Sequence, residues 1–170
     1  MKKLDVHLST NEEQGVLVGQ LAEKDHRVYF EYDPQFLQSS LWLSPFKLPL
    51  EPGLIEHRDR SFGPLFGLFD DSLPDGWGML LMNRHFTRQG LAVQRLSPLD
   101  RLAHLGHRTM GALTYHPPSR EDANLAPMLD LHLLASQAYE VLSGKTAEVL
   151  PALERAGGSP GGARPKVVVG

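Results

Sequence analysis

At 170 residues the chain has room for one domain or two small ones and excludes a large multidomain enzyme. With 41% apolar and 22% charged residues it can build a core, and its 16 glycines and 13 prolines cluster locally, which excludes a disordered, collagenous or coiled-coil chain. A net charge of −3 offers no basic field for direct nucleic-acid binding, and the lack of cysteine excludes disulfides, thiolate nucleophiles and Cys-ligated zinc.

The segment Met1 to Leu8 carries Asp5 and His7 where a signal peptide would need an apolar run, and no stretch approaches a membrane span. A cytoplasmic protein without a membrane partner is expected. Leu4, Val6 and Leu8 alternate with Lys3, Asp5 and His7, predicting a strand with one face on a core. Val16-Leu17-Val18 predicts a second strand, with a bulge at Gly19, and Val28, Phe30 and Tyr32 predict a third after the charged turn 23–27. Short polar loops between them give an antiparallel meander.

Prolines at 34, 45, 49, 52 and 64 each remove a ladder donor, so 34–66 reads as extended segments and turns, with one more strand at 40–43. Asp75 is placed to cap a helix that runs through Trp77, Leu80, Leu81 and Arg84 and ends before Gly90. Ser97-Pro98 opens another, which buries Leu99, Leu102 and Ala103 and stops at Gly106. A strand at 111–115 is closed by Pro117-Pro118. The polar stretch 119–124 is a candidate linker. Helices are then expected at 129–142, ended by Gly144, and at 146–155, before a strand begins at Val167-Val168-Val169. A valine strand at the last residues suggests that the chain is a fragment or that its sheet partner comes from elsewhere. The expected class is α+β, an antiparallel meander with packed helices.

The sharpest chemical feature is Gly157-Gly158-Ser159-Pro160-Gly161-Gly162-Ala163-Arg164-Pro165-Lys166. Close glycines let successive N–H groups point at a bulky anion, and Arg164 and Lys166 add positive charge. The Walker pattern does not fit, because Pro165 precedes Lys166 and Val167 replaces the Ser/Thr. A glycine loop leading into a strand instead matches the phosphate loop of kinases, although the composition also suits a hinge or tight turn.

Other candidates are weaker. Asp100, His104 and His107 share helical spacing, but Gly106 should break the helix before His107. Asp70, Asp71 and Asp75 would need to converge for acid–base or cation chemistry, and helix capping explains them more simply. Asp130-Leu131-His132 lacks the Asn that a catalytic loop would supply. Trp42, Phe46, Phe62, Phe66 and Phe69 sit among prolines, and form either a partner surface or a satellite core.

Three segments, Phe69-Asp70-Asp71-Ser72-Leu73-Pro74-Asp75-Gly76-Trp77-Gly78, Ser97 to Gly106 with Met110-Gly111-Ala112-Leu113, and Gly158 to Lys166, resemble in matching order the N-terminal region of HipA-like toxins. These are serine/threonine kinases of bacterial toxin–antitoxin modules. The resemblance implies a subdomain at 1–118, then a helical connection and the start of the kinase N-lobe at 119–170. It makes Gly158, Ser159, Gly161, Gly162, Ala163, Arg164 and Lys166 the ATP-phosphate loop and Ser159 the autophosphorylated residue. Ser159, Gly162 and Lys166 stand at the family's i, i+3 and i+7. It further implies ATP and Mg as cofactors, a HipB-like DNA-binding antitoxin as partner and an aminoacyl-tRNA synthetase as a possible substrate. The catalytic base and the Mg ligands are expected beyond the loop, outside these residues, so the chain alone is expected to be inactive. The alternative is a stand-alone module that docks on and restrains a separately encoded kinase.

Overall fold

The computed structural model describes residues 1–9, 15–61, 63–119 and 131–144, together with Leu153 and Arg164. These fall into two compact units, one of 1–73 and 97–121, the other of 74–96 and 122–170. The architecture is α+β, as the sequence predicts.

The first unit is built on a five-stranded antiparallel sheet in the order β4-β3-β2-β1-β5. Strand β1 (Lys2–Leu8) pairs with β2 (Val16–Lys24), which turns tightly into β3 (Arg27–Tyr32). The turn residues Asp25 and His26 both have positive φ, 52° and 60°, the mirror-image turn whose twist matches a hairpin. Because this turn needs only two residues, β2 runs further than Val16-Leu17-Val18 predicts.

Pairing between β1 and β2 slips by one residue after Val6, which faces Gly19 while His7 faces Leu17. The slip lets Val18 and Leu21 both reach the core although they are three apart. It falls beside Gly19, where a bulge was expected. Leu4, Val6, Val28, Phe30 and Tyr32 line the same buried face, in step with their alternation in the sequence.

No strand forms at 40–43. Leu41 and Trp42 are exposed there, and the fourth strand is β4 (Leu54–Glu56), after the Pro52-Gly53 turn has redirected the chain onto the β3 edge. Phe36, Leu48, Leu65, Phe66 and Phe69 from this proline-rich stretch cover the sheet, with α1 (Gly67–Asp70) supplying the last of them. Helix α3 (Pro98–Leu105) packs Leu99 and Leu102 on the same face, while Ala103 is half-buried. It begins with a full capping box between Ser97 and Asp100 and ends at Gly106, whose φ of 56° closes it. Strand β5 (Leu113–His116) then pairs with β1, starting two residues later than predicted.

In the second unit, α2 (Gly76–Arg88) and α4 (Leu131–Leu142) contribute Trp77, Leu81, Leu134, Ala138 and Val141 to a small apolar cluster that includes Leu153. Arg84 donates to the carbonyl of Val141, 3.0 Å away. Asp75 occupies the N-cap position of α2, but its side chain makes no capping hydrogen bond. The predicted helix 146–155, apart from the buried Leu153, and the strand at 167–169 lie outside the described residues.

Candidate functional site

Of the predicted phosphate loop, Gly158, Ser159, Gly161, Gly162, Ala163 and Lys166 lie outside the described residues, and Arg164 is exposed. The remaining candidates separate. Asp100 is held in the α3 capping box, where burial opposes its ionisation but Lys2 and Ser97 together keep its carboxyl below the usual range. His104 is buried, and His107 lies past the helix end, so the spacing of these three residues makes no shared ligand face. No group of His, Asp and Glu able to hold a metal ion occurs among the described residues.

Asp70 is half-buried at the end of α1, where burial and then neighbouring Asp71 push its carboxyl up against the opposing pull of His57. Asp71 closes α1 as its C-cap, and Asp75 starts α2 in the other unit. The aromatic group divides as well. Phe66 and Phe69 are core residues, whereas Trp42 is 61% and Phe46 93% exposed; Phe62 lies outside the described residues.

The structure also contains a recess that the sequence did not reveal. A cavity of about 280 Å³ opens beside β4, with Ile55, Leu65 and Phe66 as apolar walls and Lys47, His57 and Asp59 as polar ones. The His57 ring tilts against Phe66 with centroids 4.8 Å apart, and its Nε2 lies 3.1 Å from the Gly63 carbonyl, which fixes that nitrogen as the donor. Lys47 reaches Asp59 at 3.0 Å. Hydrogen bonds from Ser61, then Lys47, pull the Asp59 carboxyl down to about 2. Glu56 accepts from Arg27 at 3.1 Å and from Arg58 at 3.2 Å. With its charges paired and its walls apolar, this recess is suited to holding a ligand group by shape, and the Asp59 carboxyl is a poor proton carrier near neutral pH. Its walls come from three short segments between prolines, so no local spacing marks it.

Residues 5–116 match the family described as the HipA N-terminal domain, well over half of the chain. The chain belongs to that family. No curated protein and no solved structure matches it. The match begins at Asp5 in β1 and ends at His116 in β5, and these two residues are direct register partners on adjacent strands. The HipA N-terminal domain thus opens and closes on one strand pair, and residues 117–170 follow it. It takes in the sheet from Asp5 of β1 onward, α3 and α2, together with the new recess. Among the described residues no helix is long and apolar enough to cross a membrane.

Proposed function

We propose that this HipA-like chain is the N-terminal portion of a serine/threonine-protein kinase toxin of a toxin–antitoxin system. In this reading segment 158–166 cradles the phosphates of ATP, and Ser159 is autophosphorylated. The observation that carries the proposal is the family match at 5–116 lying upstream of a glycine-rich run with Ser159, Gly162 and Lys166 at the family's spacing. The amides of closely spaced glycines favour anions, and Arg164 and Lys166 reinforce them. A phosphoserine would add about −1.5 to −2 charge where the nucleotide phosphates belong, and so repel ATP. Residues 1–118 would form the family subdomain and 119–170 the passage into the kinase N-lobe. The catalytic base and the Mg ligands would come from beyond these residues. A HipB-like DNA-binding antitoxin is the proposed partner, an aminoacyl-tRNA synthetase the proposed substrate class, and the cytoplasm the proposed location.

The test uses labelled ATP and peptide mapping. The 170 residues alone should transfer no phosphate; joined to their catalytic lobe they should carry it on Ser159, and Ser159→Ala should remove it from segment 157–166, which has no other hydroxyl. Autophosphorylation confined to other segments, with Ser159 unmodified, overturns the role.

A second reading, a stand-alone module that restrains a separate kinase, is favoured by the exposure of Trp42 and Phe46. If it holds, the chain inhibits a separately produced kinase lobe, and Trp42→Ala with Phe46→Ala abolishes the inhibition.

A further inference from the structure

Three histidines from three separate segments meet at the β5 edge of the sheet. His7 in β1 and His116 in β5 pack edge to face with ring centroids 4.6 Å apart, and His107, from the turn after α3, packs on His116 in the same way at 4.4 Å. The register explains the first contact. His7 faces Thr114 and Asp5 faces His116, so both rings lie on the sheet face opposite buried Val6 and Tyr115. The second contact follows from the chain path: the Tyr115 amide donates to the Gly106 carbonyl at 3.0 Å, which lays the 106–108 turn along the outer edge of β5. We propose that this three-imidazole stack is a protonation-sensitive clasp, which holds β5 and the 106–108 turn closed when neutral and releases them on acidification.

Two protonated rings would place like charges about 4.5 Å apart, a repulsion that water screens less at half-buried His7 and His116 than in the bulk. His7 adds a further cost. Its Nδ1 is buried with no hydrogen-bond partner among the described residues, and an imidazolium must present an N–H there. The opposing charge is Asp5, which favours protonated His116 but already accepts from Gln20 at 2.7 Å. From the other elements, Arg108 donates to the His104 carbonyl at 2.8 Å, Asp100 is taken up by Lys2 and Ser97, and Arg101 lies in the field of Asp100. His104 itself is buried on α3. Burial, then His107 and His7, hold His116 below the ordinary imidazole value of 6.5.

The folded state binds the His116 proton less readily than the unfolded chain, so the stabilisation is complete above about pH 6.5 and is lost as pH falls toward the lower folded-state value. The loss is local because both ring–ring contacts converge on His116 in the edge strand β5, and residues 117–119 continue the chain from that edge. Ser119 is itself tied to the Ala103 carbonyl at 2.8 Å.

Amide exchange of the 170-residue chain, corrected for intrinsic rates, tests the clasp together with imidazole NMR titration. Between about pH 7.5 and about pH 5 the Tyr115 amide should lose about tenfold protection, while Phe30 in β3 holds its own. His107→Gln, an exposed substitution that leaves the sheet intact, should cut that loss to less than about twofold and raise the His116 titration midpoint. Tyr115 protection that tracks Phe30 across the range overturns the clasp, and so does a His116 midpoint that His107→Gln leaves unchanged. Neither result depends on Ser159 or on ATP.

Discussion

Ser72 is one of two buried polar residues in the described chain, and its hydroxyl lies 2.7 Å from the hydroxyl of Tyr115. Each group satisfies the other where water cannot reach, and burial pushes the Tyr115 phenol well above its ordinary value. Ser72 belongs to the segment that carries the family resemblance, yet the structure gives it a packing role: it anchors the end of α1 to β5. Replacing it with Ala strands a buried phenol, so Ser72→Ala should cost about 1–3 kcal/mol in urea denaturation. Tyr115→Phe in the Ser72→Ala background should cost little more, because no polar group is then left unsatisfied. Additive losses in the double variant would show that the two hydroxyls do not act as a pair.

At the scale of elements, Gly19 shows how a sequence signal becomes geometry. A glycine within a β-branched run predicts a bulge, and the register slip falls there, but the reason it must be glycine is visible only in three dimensions. A Cβ at Gly19 would run into the Glu31 carbonyl oxygen and come within 2.8 Å of the Phe30 ring and 2.9 Å of the Tyr32 Cα. Gly19→Ala should therefore force β2 and β3 apart and cost upward of about 1–3 kcal/mol, measured by thermal unfolding, with loss of amide protection at Phe30 and Tyr32. An unchanged melting temperature would rule out this close approach. Elements whose signal is local, such as the alternation in β1 and β3 or Ser97-Pro98 opening α3, were legible in the sequence for the same reason: propensity and burial agree there. The fourth strand was placed wrongly because β4 is only three residues long and exists through pairing with β3, a tertiary event that Ser40 to Leu43 imitates in composition. The recess at His57 and the histidine stack were illegible for a related reason. Their residues lie on segments distant in sequence, and only the sheet register and the proline turns bring them together. The proposed phosphate loop is the reverse case: it rests on spacing and resemblance alone.

For the whole molecule, the two tryptophans report on different units. Trp42 stands 61% exposed in the first, and Trp77 is 1% exposed at the centre of the apolar cluster of the second. Acrylamide should quench Trp42 readily and Trp77 poorly, so Trp42→Phe should leave a blue-shifted, protected emission. That variant then allows the cooperativity of the chain to be measured. The first unit's core unites a five-stranded sheet with α3 and the proline-rich cover, whereas the second unit's cluster, among the described residues, rests on a few side chains of α2 and α4 plus Leu153. Hydrophobic stabilisation scales with apolar area removed from water, at about 25 cal/mol per Å², so the smaller cluster should give way first. In a urea series on Trp42→Phe, Trp77 fluorescence should pass its midpoint at lower denaturant than the NMR signals of Leu21 and Phe30 in the sheet. Such non-coincidence is the mark of more than one cooperative unit. Superimposable transitions would show instead that the segment from 74 to 96 unfolds with the sheet whose sequence it interrupts, and that the HipA N-terminal domain behaves as one cooperative body.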